Sequence, residues 1–311
     1  MTSSSSELDS FLDVVAKVAA SVADAPGPLA DSRNALAGAG LLDLGRDTAD
    51  EPDALHWLTH TVRVAAESSP SLAYVLAARY AADLVHGSAG EASEPAFALA
   101  VATSAPVVPT ALGPRHVVVL DADAGEARTM AWEDVADSAD ASPRTGLRLA
   151  GLVTLNVPEA AAGEPLAAPE ALGHWDLLTS AVLIGTAHRA VREAETYVME
   201  RHQFGVPIGS FAGLRALVAD MDLKVKGARA LLDAALDRGS TETVSATAGR
   251  AAVETCVAAI QAHGGYGYID EYPLAELLRD AISVQARAGG RRLHIARVAA
   301  RALGPRDGSP S

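Results

Sequence analysis

The sequence predicts a mainly α-helical protein with one small β segment in its middle, and three observations carry that prediction. Alanine runs through almost every segment, which favours helix. Apolar residues recur at helical spacing near both ends of the chain. Short β-branched runs bounded by turn residues are confined to the region between. The division this implies is an N-terminal helical domain over 1–93, a β domain over 94–164, a C-terminal four-helix bundle over 165–304 and a polar tail over 305–311. Hydrophobic residues make up 49% of the 311 positions, which excludes a disordered chain and suffices for one large domain or two smaller ones.

The first helix is predicted from Leu8, Leu12, Val15, Val18 and Val22 and stops at Ala25-Pro26-Gly27-Pro28. A short helix fits Ser32 to Ala37, ending at Gly38. Two more fit Pro52 to Ala66 and Ser71 to Val85, with Ser69-Pro70-Ser71 supplying the break and an N-cap. After Glu94 the pattern changes. Val117 to Leu120 reads as a strand, Asp121 to Gly125 as a turn, and Thr129 to Trp132 and Leu147 to Val157 as further strands. From His174 onward Leu177, Ala181, Ile184, His188, Val191 and Val198 mark one face of a long helix, closed by Phe204-Gly205-Val206-Pro207. His188 on that face reads as a core histidine. A second helix carries Leu214 to Leu232, a third runs from Glu242 to His263, and a fourth follows Pro273. Short connections make these an up-down bundle.

Composition also excludes functions. A net charge of −14 without a basic stripe argues against nucleic-acid binding. The lone Cys256 lies in an alanine- and valine-rich stretch and reads as a small buried residue. No residues stand at metal-ligand spacing, no apolar run is long enough to span a membrane, and Met1 to Ser6 lack the pattern of a signal peptide. A cytoplasmic protein is the expectation.

Three segments carry a resemblance. Arg201-His202-Gln203-Phe204-Gly205-Val206-Pro207-Ile208, Gln261-Ala262-His263-Gly264-Gly265-Tyr266-Gly267-Tyr268, and Glu271-Tyr272-Pro273 with Leu278-Arg279-Asp280-Ala281 follow one another in order. They resemble the "R-x-Q-F-G-x-P-I", "Q-x-x-G-G-x-G-Y/F" and "E-Y-P…R-D-A" motifs of acyl-CoA dehydrogenases. The likeness covers His174 to about Arg297 well and Leu8 to Val85 weakly. It implies the acyl-CoA dehydrogenase fold, FAD as cofactor and an acyl-CoA substrate, and it leaves room for an electron-transfer flavoprotein as acceptor. By motif, Arg201, Phe204, Gln261, Gly264 and Gly265 would contact the ADP half of a flavin held mainly by a neighbouring subunit. These residue types suit phosphate binding. Arginine offers a forked donor to phosphate oxygens, and a glycine pair lets backbone N–H groups approach them.

The departures from the family are selective. Its catalytic glutamate follows "R-D-A" in an "E-G-T" segment; here the stretch is Arg287-Ala288-Gly289-Gly290, and Ala288 stands at the base position. The alternative position, at the start of the first bundle helix, falls on Trp175. Asp176 beside it points about 100° away around the helix. It is a weak candidate base, more simply read as an acid interacting with the helix N-terminal dipole. The β domain is short, Trp132 does not sit in the family's flavin-shielding motif, and Ala212 replaces the glutamine usually found after the phenylalanine at Phe211. The expectation is the non-catalytic subunit of a heteromeric α2β2 acyl-CoA dehydrogenase, similar to those of actinobacterial steroid catabolism, with a paralogous subunit supplying the base. A homomeric flavoprotein with altered chemistry in secondary metabolism and a flavin-free structural homologue are the alternatives.

Overall fold

The structure is a computed structural model that describes residues 2–87, 94–101, 105–157, 165–238 and 241–304. The tail from 305 lies outside the described residues. Five helices open the chain: α1 (Thr2–Asp24), α2 (Arg33–Gly38), α3 (Leu44–Thr48), α4 (Ala54–Ala66) and α5 (Pro70–His86). The side chain of Ser69 caps α5 by accepting from the Leu72 N–H, with Pro70 in the first helical position. The five-residue α3 escapes a sequence reading because Gly45 looks like a breaker. Its glycine serves packing instead, since an added Cβ would lie 2.5 Å from Asp83 Oδ2 and 3.0 Å from Tyr80.

The middle segment forms two small sheets. One has the order β1 (Pro95–Ala100), β3 (His116–Asp121), β4 (Glu126–Ala131), β7 (Pro165–Ala167); β1 and β3 are parallel, the other pairs antiparallel. The other has the order β2 (Val107–Pro109), β6 (Leu152–Leu155), β5 (Ala139–Asp140). Alternation along β1 decides the layering. Ala96 and Ala98 join Val108, Val153 and Leu155 in a small apolar cluster between the sheets, whereas Phe97 and Leu99 face the helices. Two strand boundaries differ from expectation. Trp132 opens the short helix α6 (Trp132–Val135) instead of ending a strand, and of Leu147 to Val157 only Leu152–Leu155 is strand. Leu147 has φ +54 and a 3₁₀ turn over Arg148–Ala150 follows it, which no strand can contain.

The C-terminal region comprises α7 (Ala171–Glu200), α8 (Ala212–Arg238), α9 (Thr241–His263), α10 (Leu274–Arg287) and α11 (Gly290–Leu303). The fold class is the predicted one, with an additional helix: the chain turns at Gly289, φ +99, so that the segment after Pro273 is two helices. The 30-residue α7 packs on α4, α5, α8, α9 and α10. One continuous apolar core runs from α1 through the helix-facing side of the first sheet into this bundle. Cys256 is in that core as expected, and burial pushes its thiol up to about 12. His188 is not a core residue: its side chain is 42% exposed, with Nδ1 3.1 Å from Glu67 Oε2.

Candidate functional site

Two places matter, an open face at one end of the bundle and a sealed cluster in its interior. The open face begins where α7 ends. Arg201 turns extended, and His202–Gln203 pairs antiparallel with Val206–Pro207 across a two-residue turn, Phe204 (φ +53) and Gly205 (φ +81). Two positive φ values in succession make this a hairpin tip, which thrusts Phe204 into solvent at 92% exposure. Its ring meets Phe211 edge-on at 6.3 Å.

Across from the hairpin, α9 ends at His263 and a 3₁₀ turn runs from Gly264 to Tyr268. The Arg201 guanidinium lies over the Tyr266 ring, 5.5 Å from its centroid, so the first two motifs meet in space. Gly264 has φ +60, and a Cβ added at Gly264 or Gly265 would meet nothing within 4 Å. No packing inside the chain therefore requires a missing side chain at Gly265; the space lies on the open side. Gln261 is exposed on the adjoining turn of α9. Behind this surface the Tyr197 and His263 rings stack at 4.0 Å and Tyr272 closes on both edge-on. The Tyr197 hydroxyl donates to the His263 carbonyl, fixing the end of α9. Tyr266 and this aromatic support are not singled out by sequence reasoning, although each is an aromatic inside or one helical turn from a motif.

The sealed cluster unites the two positions considered for a catalytic base. Trp175 on α7 is fully buried, and its indole Nε1 donates to the carbonyl of Arg287 at 3.3 Å, next to Ala288, which is also buried. Phe97 packs on the indole at 4.9 Å and Tyr74 at 5.7 Å. Neither base position carries a carboxylate, and two aromatic rings pack on the indole of Trp175.

Asp176 is not an acid at a helix dipole. It is the sixth residue of α7, wholly buried, and holds α11 in place. Its Oδ2 accepts from Arg297 Nη1 at 2.6 Å and from Thr241 Oγ1 at 2.9 Å, while His294 Nδ1 stands 3.7 Å from Oδ1. Burial pushes its pKa up; Arg297 and His294 pull it down. The correction follows from tertiary packing, because α11 brings Arg297 to a residue 121 positions earlier. Asp280 of the third motif is likewise structural. It accepts from the Leu147 N–H at 2.6 Å and so ties the β region to α10; burial pushes its carboxyl up to about 6.

Residues 167–303 match the family described as acyl-CoA dehydrogenase, C-terminal domain. The match spans the bundle, which is similar to the C-terminal domain of acyl-CoA dehydrogenases. A short-chain specific acyl-CoA dehydrogenase from Clostridium acetobutylicum is 37% identical over 110 residues, 33% of this chain and 29% of that protein. An acryloyl-CoA reductase (NADH) from Anaerotignum propionicum is 36% identical over 135 residues, 41% of this chain and 34% of that protein. The matches thus span about a third of the length of these curated relatives. The fold likeness extends further. A steroid ACAD, Tcur3481-Tcur3483, superimposes with a TM-score of 0.69 at 19% identity, covering 94% of this chain and 97% of the other. XiaF from Streptomyces sp., in complex with FADH2 and glycerol, superimposes with a TM-score of 0.74 at 15% identity, covering 100% and 99%. The acyl-CoA dehydrogenase fold therefore extends over the N-terminal helices and the small sheets as well as the domain matched by sequence. Among the described residues no helix is long and apolar enough to cross a membrane.

Proposed function

We propose that this chain is the non-catalytic subunit of a heteromeric, FAD-dependent acyl-CoA dehydrogenase. One observation carries the reading: both positions available to the family's base converge on a buried aromatic cluster without a carboxylate, while the phosphate-type cradle at the other motifs stays open. The residues of that open face fit one half of a flavin dinucleotide. Arg201 would donate to diphosphate oxygens, the backbone at Gly264 and Gly265 would let the chain approach them, and Phe204 with Gln261 would border the adenosine. When bound, FAD supplies hydride acceptance at its ring. A base on the paralogous subunit would take the α-proton, since Ala288 and Trp175 have no group to do so.

The substrate class proposed for the complex is a bulky acyl-CoA, steroid-derived, in keeping with the fold likeness to a steroid ACAD. An electron-transfer flavoprotein is the proposed acceptor. A second reading, a homomeric flavoprotein of altered chemistry, is favoured by the whole-chain likeness to XiaF, whose complex holds FADH2.

Purification alone and with a paralogue separates the readings. The first expects FAD only in the co-expressed complex, with fewer flavins than subunits, measured by absorbance together with mass in solution. One FAD per chain in a homo-oligomer would replace it with the second, and no flavin in either preparation would reject both.

A further inference from the structure

Among the described residues, most arginines that are not exposed have a carboxylate partner. Arg63 pairs with Glu67, Arg79 with Asp43 and Arg297 with Asp176. Arg144 and Arg287 do not: among the described residues neither is within ion-pair distance of an acid. The Nε of each is sealed from solvent and has no hydrogen-bond partner, and the hydroxyl of fully buried Tyr74 is in the same condition. Both arginines keep part of their side chains at the surface.

Chain geometry brings the groups together. The Leu147 N–H donates to Asp280, and Gly146 lies so close to α10 that an added Cβ would stand 2.4 Å from the Arg279 carbonyl oxygen and 2.8 Å from Ser283 Cβ. The segment 144–147 is thereby laid along α10, whose last residue is Arg287. Arg144 also donates to Thr154 Oγ1 of β6, which holds it from the sheet side. Burial lowers the pKa of Arg287, Arg144 lowers it further, and only Tyr74 opposes them; no acid acts on it. The C-terminal dipole of α10 offsets part of this positive charge but fills none of the three empty hydrogen-bonding positions.

We infer that Arg144 and Arg287, with the nearby Tyr74 hydroxyl, form a binding site for a small anion, a carboxylate or a phosphoryl group. Two guanidinium forks present planar pairs of donors, the arrangement that carboxylate and phosphate oxygens match. The Tyr74 phenol, whose hydroxyl has no partner, offers a further donor. The site lies beside the Trp175 cluster and is separate from the open face at Arg201.

Titration of the full chain with inorganic phosphate and, separately, with malonate tests this, by calorimetry at constant ionic strength set with chloride. Saturable binding of at least one anion at one per chain is expected. Arg144→Gln and Arg287→Gln should each weaken it at least about tenfold. Arg144→Lys, which keeps the charge and guards against loss of folding, should weaken it less than Arg144→Gln. Arg215→Gln, an exposed arginine elsewhere, should leave it unchanged. Preference for malonate assigns a carboxylate ligand and preference for phosphate a phosphoryl ligand. No saturable binding of either anion, or undiminished binding in both glutamine variants, overturns the site. The readout contains no flavin, so its failure leaves the proposed subunit role standing.

Discussion

At the scale of residues, the same side-chain type does different work according to what surrounds it. Arg297 neutralises a buried carboxylate, whereas Arg201 lies over the Tyr266 ring, where we propose that it meets a diphosphate. Arg201→Ala should therefore reduce FAD retention in the assembled complex, by roughly 1.5–3 kcal/mol for one lost charge-assisted contact. Arg215→Ala should not; flavin content after gel filtration of the two variants makes the comparison, and equal retention would place the diphosphate elsewhere. Trp175 offers a second residue-level expectation. Its indole is fully buried between Phe97 and Tyr74, so Trp175→Ala should cost about 3–5 kcal/mol in chemical denaturation. Trp175→Phe should keep most of the packing and lose about 1 kcal/mol with the bond to the Arg287 carbonyl. A nearly neutral alanine variant would mean that the aromatic cluster does not fill the interior.

At the scale of elements, the junction between α10 and α11 decides the most. A continuous helix after Pro273 would carry His294 and Arg297 along the α10 axis and away from Asp176. The turn at Gly289 folds α11 back, and the buried ion pair forms. Gly289→Ala meets two obstacles: φ +99, and Leu293 Cδ2 2.4 Å from the new Cβ. A loss of about 1–3 kcal/mol is expected from backbone strain. Gly304→Ala, at φ +85 but with nothing near its Cβ, isolates the strain from the collision. Thermal melts of the two variants measure the difference. If they match, the packing of Leu293 contributes nothing to the junction.

At the scale of the whole molecule, stability should fall in acid. His60 is buried on α4, and burial, then Arg63, His56 and Arg229, lower its pKa from 6.5 to about 4. A depressed folded-state pKa means that the neutral ring contributes stability above pH 6.5, and that this is lost as pH falls toward 4. The full shift would correspond to about 2–3 kcal/mol once residual exposure is allowed for. Burial also lowers His174, His263 and His294, so the losses run in one direction. Asp83, raised to about 7 chiefly by burial, runs in the other: its contribution is present at low pH and lost as pH rises through 7. His60→Gln should flatten the dependence of melting temperature on pH between 6.5 and 4. Asp83→Asn should raise the melting temperature at about pH 8 relative to wild type and have little effect at about pH 4. An unchanged acid slope in the first variant would remove His60 from the account.

Local pattern carried most of the architecture. Helical periodicity, the Ser69-Pro70 cap and the β-branched runs depend on neighbours within a few positions, so the helical regions and the intervening β segment were readable from the chain. The motif residues Arg201, Gln261, Gly264 and Gly265, and the alanine at position 288, are equally plain in the sequence. Tertiary structure decided everything that joins distant positions. It set the ring of Tyr266 under Arg201, brought Trp175 to the Arg287 carbonyl, and turned Asp176 from an apparent helix-end acid into the anchor of α11. It also left Arg287 with no acid at ion-pair distance among the described residues, although the chain as a whole is strongly acidic. Periodicity reports which face of an element is buried. It does not report which element covers that face, and the partner of a charged group is set by the second fact.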